Sequence, residues 1–442
     1  MSQPDGDDQL LGVDEALARV LAGVAPLPPC DTPLLDALGM VLAEDVVADA
    51  DIPPFRNSAM DGYAVRSADL AGARRDRPVS LRVVAEGPAG YAPRGAVGPG
   101  EAIRIMTGAP LPPGADTVVR FEETDEVAYG AGKAARDRPG AATVAIGVDQ
   151  GPWINVREAG EDVRRGERVL AAGALLRPAE IGVLASLNRA AVRVHRRPVA
   201  AIVATGDEVV DLGPPLRPGQ IRNSNSYTLA ALVARYGGVP RLLGVARDDV
   251  ADLGSTLRTA AGCEADLVLS SGGVSVGDYD VVKDVLRAEG RIDLWQVRMK
   301  PGKPLAFGRL AGKPFLGLPG NPVAAYVSFE LFGRPLLLRL RGVRDLRKPT
   351  IRARLAEPVE NQGGRRHFVR ATVAAGPGGA TVRPTGEQGA GVLAALTRAN
   401  GLLIIPDGVR RLRAGDEADV QLLHWEQGSG YLPGLPAPGD GA

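Results

Sequence analysis

The chain has 442 residues, of which 45% are hydrophobic, and its 52 basic and 52 acidic side chains give a formal net charge of zero. This length allows about two to four globular domains. The balanced charge argues against proteins that bind bulk nucleic acid or acidic membranes through a basic surface. A disulfide framework and a zinc site are also disfavoured, because the cysteines and histidines are far apart in the sequence: Cys30, Cys263, His195, His367 and His424.

The N-terminal sequence does not have the pattern of a secretion signal. Residues Ser2–Asp8 are acidic and lack the basic-then-apolar pattern of a secretion signal. No apolar run reaches the roughly 18 residues that are needed to span a bilayer. We therefore expect a soluble cytoplasmic protein, with residues 1–9 and the Gly/Pro-rich tail 426–442 disordered.

In chain order, the first predicted element is an amphipathic helix, Val13–Val24, whose apolar residues recur at helical spacing. Short β-prone runs such as Val79–Val84 then alternate with Gly/Pro turns. Helix and loop patterns return later, including Pro178–Leu187 with a proline near its first turn. The pattern predicts two N-terminal domains: a discontinuous helical and linker domain at 10–50 and 151–195, and a β-rich inserted domain at 51–150.

From Val199 onward, strand patterns alternate with helix patterns, as in Val199–Ala204 followed by Ser226–Tyr236. This alternation predicts a parallel-rich sheet with helices on both faces, that is, a three-layer α/β domain. After residue 350 the pattern returns to short alternating strands, which predicts a small antiparallel barrel or sandwich. The predicted fold is a multidomain α/β protein with its α/β domain at 196–342 and a C-terminal β-barrel domain at 343–425.

Polar residues cluster at the predicted carboxyl ends of the α/β strands, where ligands of such sheets bind. The two glycine corners, Ser271-Gly272-Gly273 and Pro319-Gly320-Asn321, allow backbone N–H groups to approach an anion. Lys300 and Lys303 flank a Pro-Gly turn, and lysine is rare in this chain. Carboxylates that are able to hold a hard cation fall at the same strand ends: Glu208, Asp248, Asp278 and Asp280. Together these features predict a phosphate-and-metal site, although each glycine corner alone is equally well explained as an ordinary turn.

Seven motifs, in this order, resemble the molybdopterin molybdenumtransferases, the MoeA / gephyrin E-domain family, over about residues 10–425. They are Pro54–Ala64, Ile105–Pro110, Thr205–Glu208, Asn223–Tyr227, Ser271–Asp280, Lys300–Pro304 and Leu318–Val323. Some of these motifs are weak alone, but the ordered set is specific.

The resemblance implies a homodimer whose α/β domain binds molybdopterin. It implies a reaction in which molybdate and adenylylated molybdopterin yield the molybdenum cofactor and AMP, with Mg²⁺ as the divalent cation. It also implies that Asp61 and Thr107, which alone favour an ordinary hydrogen-bonded turn, are active-site residues facing the α/β domain across the dimer. The molybdopterin adenylyltransferase and recipient molybdoenzymes are the implied protein partners.

Carried onto this sequence, the resemblance assigns three groups of site residues. The implied Mg²⁺ ligands are Glu208, Asp248 and Asp280. The implied catalytic residues are Asp61, Thr107, Glu208, Asp248, Asp280, Lys300 and Lys303, of which the two lysines attract molybdate. The implied cofactor-binding residues are Asn223, Asn225, Ser271, Gly272, Gly273, Ser275, Pro319, Gly320 and Asn321.

The chain departs from the family pattern where hydroxyl groups are usual. Ala324, Ala390 and Ala394 stand at positions that usually carry serine, and Asp278 stands where glutamate is usual. These changes leave open an alternative, a catalytically weak member that acts as a ligand-binding scaffold protein. A second alternative is a different nucleotide enzyme built on the same α/β domain, such as a CinA-like pyrophosphatase or deamidase. The Asn57–Asp61 and Thr107 motifs lie outside that domain and argue against it.

Overall fold

The computed structural model describes residues 10–127, 143–247, 249–262, 264–273 and 290–423. The predicted disordered ends, 1–9 and 426–442, and the predicted helix Val281–Glu289 lie outside these residues. The chain divides into two units. The larger consists of Met1–Ala43, Gly173–Arg177 and Ala191–Ala442, and the smaller of Glu44–Ala172 and Pro178–Ala190.

A six-stranded mixed sheet forms the centre of the larger unit. Its strands, in spatial order, are Val239–Ala246, Val199–Thr205, Leu267–Ser271, Lys313–Leu318, Pro304–Leu310 and Gly290–Gln296. The first four strands are parallel to one another, and Pro304–Leu310 pairs antiparallel with both Lys313–Leu318 and Gly290–Gln296. The sheet confirms the predicted parallel-rich α/β architecture.

The central strands are almost continuously apolar because both faces of the sheet are covered. Alternate residues of one strand enter different cores: Ile202 packs in one hydrophobic cluster, whereas Ala201 and Val203 pack in another. The covering helices are Ser224–Arg235, Val250–Gly262 and the continuous helical segment Pro322–Ser328, Phe329–Gly333 and Arg334–Leu340, whose middle part is a π turn. Among the described residues, no helix is both long enough and apolar enough to cross a membrane.

The C-terminal strands close into a five-stranded barrel, which confirms the barrel rather than the sandwich. Around the barrel they are Arg366–Gly376, Gly379–Pro384, Thr350–Leu355, Glu417–Leu422 and Gly401–Ile405, and the last pairs again with the first. Val369, Leu403 and Val420 fill its interior. The short strand Met299–Lys300 adds to it in parallel, beside Arg366–His367. The segment between the sheet strands Gly290–Gln296 and Pro304–Leu310 therefore places Lys300 at the edge of the barrel.

The remaining elements of the larger unit are short. They are the helices Val13–Leu21 and Ala394–Thr397 and the strands Pro29–Pro33, Val41–Leu42, Ala191–His195, Val209–Val210, Ile221–Arg222, Val359–Glu360 and Arg411–Leu412. The strand Pro29–Pro33 pairs antiparallel with Ala191–His195. Its sequence, P-C-D-T-P, has no apolar alternation, so the pairing partner rather than the local pattern determines this strand.

The smaller unit is built on a five-stranded sheet. In spatial order its strands are Thr117–Arg120, Gly62–Val65, Glu101–Ile105, Arg74–Gly87 and Thr143–Val148. The unit also contains the strand pairs Asn57–Ser58 with Val156–Arg157 and Val46–Val47 with Arg168–Leu170, the 3₁₀ turns Ser67–Leu70 and Phe121–Glu123, and the helix Pro178–Ser186. The β-rich character predicted for this stretch is therefore present. The division of the chain into four domains stays a prediction.

Candidate active site

A cavity of about 520 Å³ lies at the carboxyl ends of the parallel strands in the larger unit. The strands Val199–Thr205, Leu267–Ser271 and Lys313–Leu318 all end beside it. Its lining includes these residues predicted from the sequence: Glu208, Asn223, Asn225, Ser271, Gly272, Gly273, Pro319, Gly320 and Asn321. We call this space the strand-end cavity.

Two helices begin at the strand-end cavity. Helix Ser224–Arg235 starts after Asn223, whose side-chain oxygen accepts a hydrogen bond from Ser226 N at 3.2 Å. Helix Pro322–Ser328 starts after Asn321, which also lines the cavity. Helix N-termini present partial positive charge to anions, and at the second helix this charge acts without the first N–H groups, because Pro322 has none and Val323 N donates to the Ala390 carbonyl at 3.0 Å. The cavity is therefore suited to a phosphate-bearing ligand.

Asn225 connects the two glycine corners. Its side-chain amide donates to Ser271 Oγ and to the Gly320 carbonyl, both at 2.7 Å. Gly272 must be glycine, because its φ is +96° and a Cβ there would lie 2.7 Å from the Thr205 carbonyl oxygen. This contact explains why the corner after a buried strand carries no side chain.

Among the described residues that line the strand-end cavity, Glu208 is the one with a carboxylate. Its side chain folds over Gly206, where a Cβ would lie 2.6 Å from Glu208 Oε2. The described residues contain no group of three His, Cys, Asp or Glu side chains that is able to hold a metal. The other implied ligands, Asp248 and Asp280, lie outside the described residues, as does Ser275. Mg²⁺ is commonly held by one or two carboxylates together with substrate phosphates, and the Glu208 carboxylate in this cavity fits that chemistry.

A second cavity, of about 370 Å³, adjoins the first and contains Lys300. Both cavities are lined by Pro304, Pro319 and Asn321. The second, which we call the Lys300 cavity, is also lined by Pro301, Gly302, Ala324, Gln388, Gly389 and Ala390. Two of the alanines that replace the usual serines thus lie in the same space as Lys300. Ala394 and Lys303 are not among the lining residues of either cavity.

The turn that carries Lys300 packs closely on the long helix. Gly302 has φ of +98°, and a Cβ there would lie 2.6 Å from Ser328 Oγ. The Lys-Pro-Gly-Lys sequence therefore requires glycine for both conformation and space. The position of Lys300 is fixed on one side by this packing and on the other by pairing with His367.

Arg370 and Gln388 belong to the same region, but motif reading did not select them. Arg370 is 1% exposed and donates to the carbonyls of Glu387 at 2.6 Å and Gly389 at 3.2 Å. Gln388 accepts from Arg370 N at 2.9 Å and donates to the Arg370 carbonyl at 3.1 Å. These bonds hold the loop that lines the Lys300 cavity. The only sequence feature that could have indicated Arg370 is its position among mainly apolar residues in the strand segment H-F-V-R-A-T-V.

His367 stands beside Lys300 and is 3% exposed. Burial, together with the smaller effect of the positive charges of Lys300, Arg370 and Arg365, lowers the pKa of His367 to about 4. The imidazole is therefore neutral near pH 7. It adds no charge to a region that already contains a lysine and a buried arginine.

Asp61 and Thr107 form a hydrogen-bonded pair in the smaller unit. Asp61 Oδ1 accepts from Thr107 N and from Thr107 Oγ1, both at 2.8 Å. The two motifs thus meet in space although they are far apart in sequence. The backbone places them next to the paired ends of two antiparallel strands, because Gly62 pairs with Ile105.

Comparison with known proteins agrees with the architecture. Residues 11–188 match the MoeA N-terminal region (domain I and II), residues 201–339 match a probable molybdopterin binding domain, and residues 352–423 match the MoeA C-terminal region (domain IV). The molybdopterin molybdenumtransferase 2 of Mycobacterium tuberculosis H37Rv is 41% identical over 398 residues, covering 89% of this chain and 94% of that protein. The chain belongs to the molybdopterin molybdenumtransferase (MoeA) family.

Other relatives extend this assignment across bacteria and to a solved archaeal structure. The molybdopterin molybdenumtransferase of Nostoc sp. is 38% identical, covering 89% of each chain. A crystal structure of a molybdopterin biosynthesis moeA protein from Pyrococcus horikoshii aligns with a TM-score of 0.76 and 31% identity, covering 93% of this chain and 100% of that chain. Membership of the MoeA family places this protein among the transferases of molybdenum cofactor biosynthesis.

Proposed function

We propose that this MoeA-family protein transfers molybdenum from molybdate into adenylylated molybdopterin and releases AMP, in a Mg²⁺-dependent reaction. The observation that carries the proposal is the pair of adjoining cavities. One presents two helix N-termini and the Glu208 carboxylate, and the other presents Lys300. An extended anionic substrate and a small oxyanion therefore have separate, neighbouring places to bind.

The strand-end cavity binds the phosphate-bearing part of the substrate in this proposal. The backbone around Gly272 and Gly320 approaches the ligand without side chains, and the helix after Asn223 directs positive potential toward it. Asn225 keeps the two corners together, so the donors are in place before the substrate arrives. Preorganised donors of this kind stabilise charge that develops on the leaving AMP.

Glu208, together with Asp248 and Asp280, is the proposed Mg²⁺ ligand set. When bound, the cation neutralises the pyrophosphate and favours departure of AMP. Lys300 attracts the molybdate dianion into its cavity, and the proline-rich wall around it excludes water. Lys303 is proposed to support this attraction from outside the lining of the Lys300 cavity. Asp61 and Thr107 are proposed to complete the site of a second copy of the chain in a cytoplasmic homodimer.

A direct assay tests this proposal. The purified protein is mixed with adenylylated molybdopterin, Mg²⁺ and molybdate, and AMP is followed by chromatography. We expect AMP release that depends on molybdate, together with active cofactor, as scored by reconstitution of a cofactor-free molybdoenzyme. AMP release from simple dinucleotides in the absence of molybdate would instead support a CinA-like pyrophosphatase.

The scaffold alternative has one observation in its favour. Ala324 and Ala390 bring methyl groups to the Lys300 cavity, where hydroxyl donors to an oxyanion are usual in the family. In the same assay, tight binding of the adenylylated pterin with no AMP release would support a ligand-binding scaffold. Molybdate-dependent release would show that the two hydroxyl groups are dispensable.

A further inference from the structure

A third cavity of the larger unit, of about 290 Å³, is surrounded by arginines. Arg298, Arg365 and Arg410 line it, together with Asp407 and a set of glycines. It shares no lining residue with the strand-end cavity or the Lys300 cavity. We call it the arginine cavity, and it has no role in the function proposed above.

The backbone forces two of these arginines together. Met299 and Lys300 pair in parallel with Arg366 and His367, so Arg298 and Arg365 each come one residue before the paired segment. Arg298 N is fixed by the Leu11 carbonyl at 2.8 Å. The Arg365 carbonyl is fixed by the Asn361 side-chain amide at 2.8 Å. Like charges at neighbouring positions of paired strands repel each other, and an anion between them removes that cost.

The same two arginines have donors that the described protein does not use. The Nε atoms of Arg298 and Arg365 are buried and have no hydrogen-bond partner. A buried donor that is left unpaired destabilises the folded protein. Guanidinium groups bind phosphate-like oxyanions through paired N–H donors, which makes such an anion the matching ligand.

The carboxylate in the lining does not cancel this positive charge. Asp407 Oδ2 lies 3.3 Å from Arg366 Nε, and Oδ1 accepts from Arg366 N at 3.1 Å. Its charge is therefore already offset by an arginine outside the lining. Gly364 and Gly408, with φ of +65° and +79°, leave the wall between the guanidinium groups without side chains. The space beside the arginines is thus small, open and positive.

We propose that the arginine cavity binds a compact tetrahedral dianion, either a free inorganic oxyanion or the terminal phosphate of a phosphate monoester. Its volume suits such a group and not a whole dinucleotide. Arg298 directly precedes the strand Met299–Lys300, which supplies the lysine of the candidate active site.

Protection from an arginine-specific reagent tests the proposal site by site. The full-length protein is treated with phenylglyoxal, with and without inorganic phosphate or AMP, and modified peptides are quantified by mass spectrometry. We expect protection of Arg365 and Arg410 and no protection of Arg354, an exposed arginine on the barrel strand Thr350–Leu355 that lies outside the cavity. Protection by phosphate identifies a free oxyanion, and protection by AMP alone identifies a monoester. No protection by either, or equal protection of Arg354, would overturn the proposal.

A substitution then tests whether the arginines act together. Arg410 is exposed, and its backbone carbonyl accepts a hydrogen bond from Asn361 N at 2.8 Å. A substitution of the Arg410 side chain leaves this backbone bond in place. Arg410→Gln is expected to raise the phosphate concentration that half-protects Arg365 by about tenfold or more, since a charged hydrogen bond is lost. Arg354→Gln is the matched control and should leave that concentration unchanged. An unchanged value in Arg410→Gln, with the fold verified by circular dichroism, would overturn the proposal.

The Lys300→Gln variant separates this site from the proposed active site. Because the two cavities share no lining residue, protection of Arg365 by phosphate should persist in that variant even if molybdate-dependent AMP release is lost. Loss of both together would show that phosphate protects Arg365 from the Lys300 cavity, which contradicts a separate arginine cavity.

Discussion

Two polar regions of the larger unit treat their charged groups in opposite ways. In the π turn Phe329–Gly333, Glu330 is ion-paired with Lys348 and accepts from Tyr236 Oη at 2.9 and 3.0 Å, and its side chain is 0% exposed. Glu330 and Lys348 border a cavity of about 610 Å³, but their charges are paired with each other. In the candidate active site, Glu208 and Lys300 line neighbouring cavities and are not paired with each other. Removing one partner of a buried ion pair is costly, whereas a charge that is not paired in this way is available for binding. The predictions below test this contrast.

The buried pair should give the largest effect on stability. Lys348→Met leaves the Glu330 carboxylate buried without its ammonium partner, which typically costs about 3–5 kcal/mol. Burial lowers the pKa of Lys348 to about 8, although Glu330 acts in the opposite direction, so the ammonium form is retained near pH 7. The measurement is urea-induced unfolding of variant and parent. The control is Lys313→Met, at the first residue of the strand Lys313–Leu318.

A double substitution decides whether charge or packing causes that loss. Lys348→Met combined with Glu330→Leu removes both charges together, and well-packed apolar replacements of buried ion pairs are often neutral. The double variant should therefore recover a large part of the stability lost in the single variant. If it unfolds as easily as the single variant, packing and not charge compensation explains the Glu330–Lys348 cluster.

The open site should respond in activity rather than stability. Lys300→Ala is expected to lower molybdate-dependent AMP release by about 10²–10³, the typical effect of losing one preorganised donor. Its urea unfolding midpoint should match the parent, because the Lys300 side chain lines a cavity. Lys303→Ala is the informative comparison, since Lys303 lines neither cavity and should lose less activity. Near-normal AMP release by Lys300→Ala would remove the role assigned to that lysine.

His367 is buried beside Lys300 and should make the stability of the protein depend on pH. Its pKa in the folded protein is about 4, below the ordinary value of 6.5. Between these values the unfolded state binds a proton that the folded state does not, so stability falls as the pH falls from about 6.5 toward 4. The expected loss between pH 7 and pH 4.5 is about 2 kcal/mol.

A His367→Asn variant isolates that contribution from the titration of other groups. Urea unfolding at pH 7 and pH 4.5 should show a smaller loss in the variant than in the parent, by about the same amount. His195→Asn is the control, since His195 Nδ1 makes a hydrogen bond with the Leu27 carbonyl at 2.7 Å, away from Lys300. Equal pH sensitivity of the parent and His367→Asn would mean that the folded and unfolded states bind the His367 proton equally well, which contradicts a lowered pKa in the folded protein.

The sequence predicts the strand-end cavity well because its residues follow strands. Apolar runs place Leu267–Ser271 in the sheet, and the residues after parallel strands must meet at one edge. Arg370 and the arginine cavity could not be predicted in this way. They depend on barrel closure and on the pairing of Met299–Lys300 with Arg366–His367, contacts between segments far apart in sequence. Local patterns also gave no indication of the π turn at Glu330, where burial of an ion pair accompanies a distortion of the helix.

The smallest expected effect concerns the alanines of the Lys300 cavity. Ala324→Ser adds a hydroxyl donor to a lining residue that is 3% exposed, and one hydrogen bond contributes about 0.5–1.5 kcal/mol. Molybdate should therefore bind up to about tenfold more tightly, measured as the molybdate concentration that gives half-maximal AMP release. Ala394→Ser is the matched control, because Ala394 is exposed at the start of helix Ala394–Thr397 and lines neither cavity. A gain confined to Ala324→Ser locates the oxyanion beside Lys300. An equal response of the two variants would mean that molybdate is bound elsewhere. The difference between the Glu330–Lys348 pair and Lys300 would then have no consequence for molybdate binding.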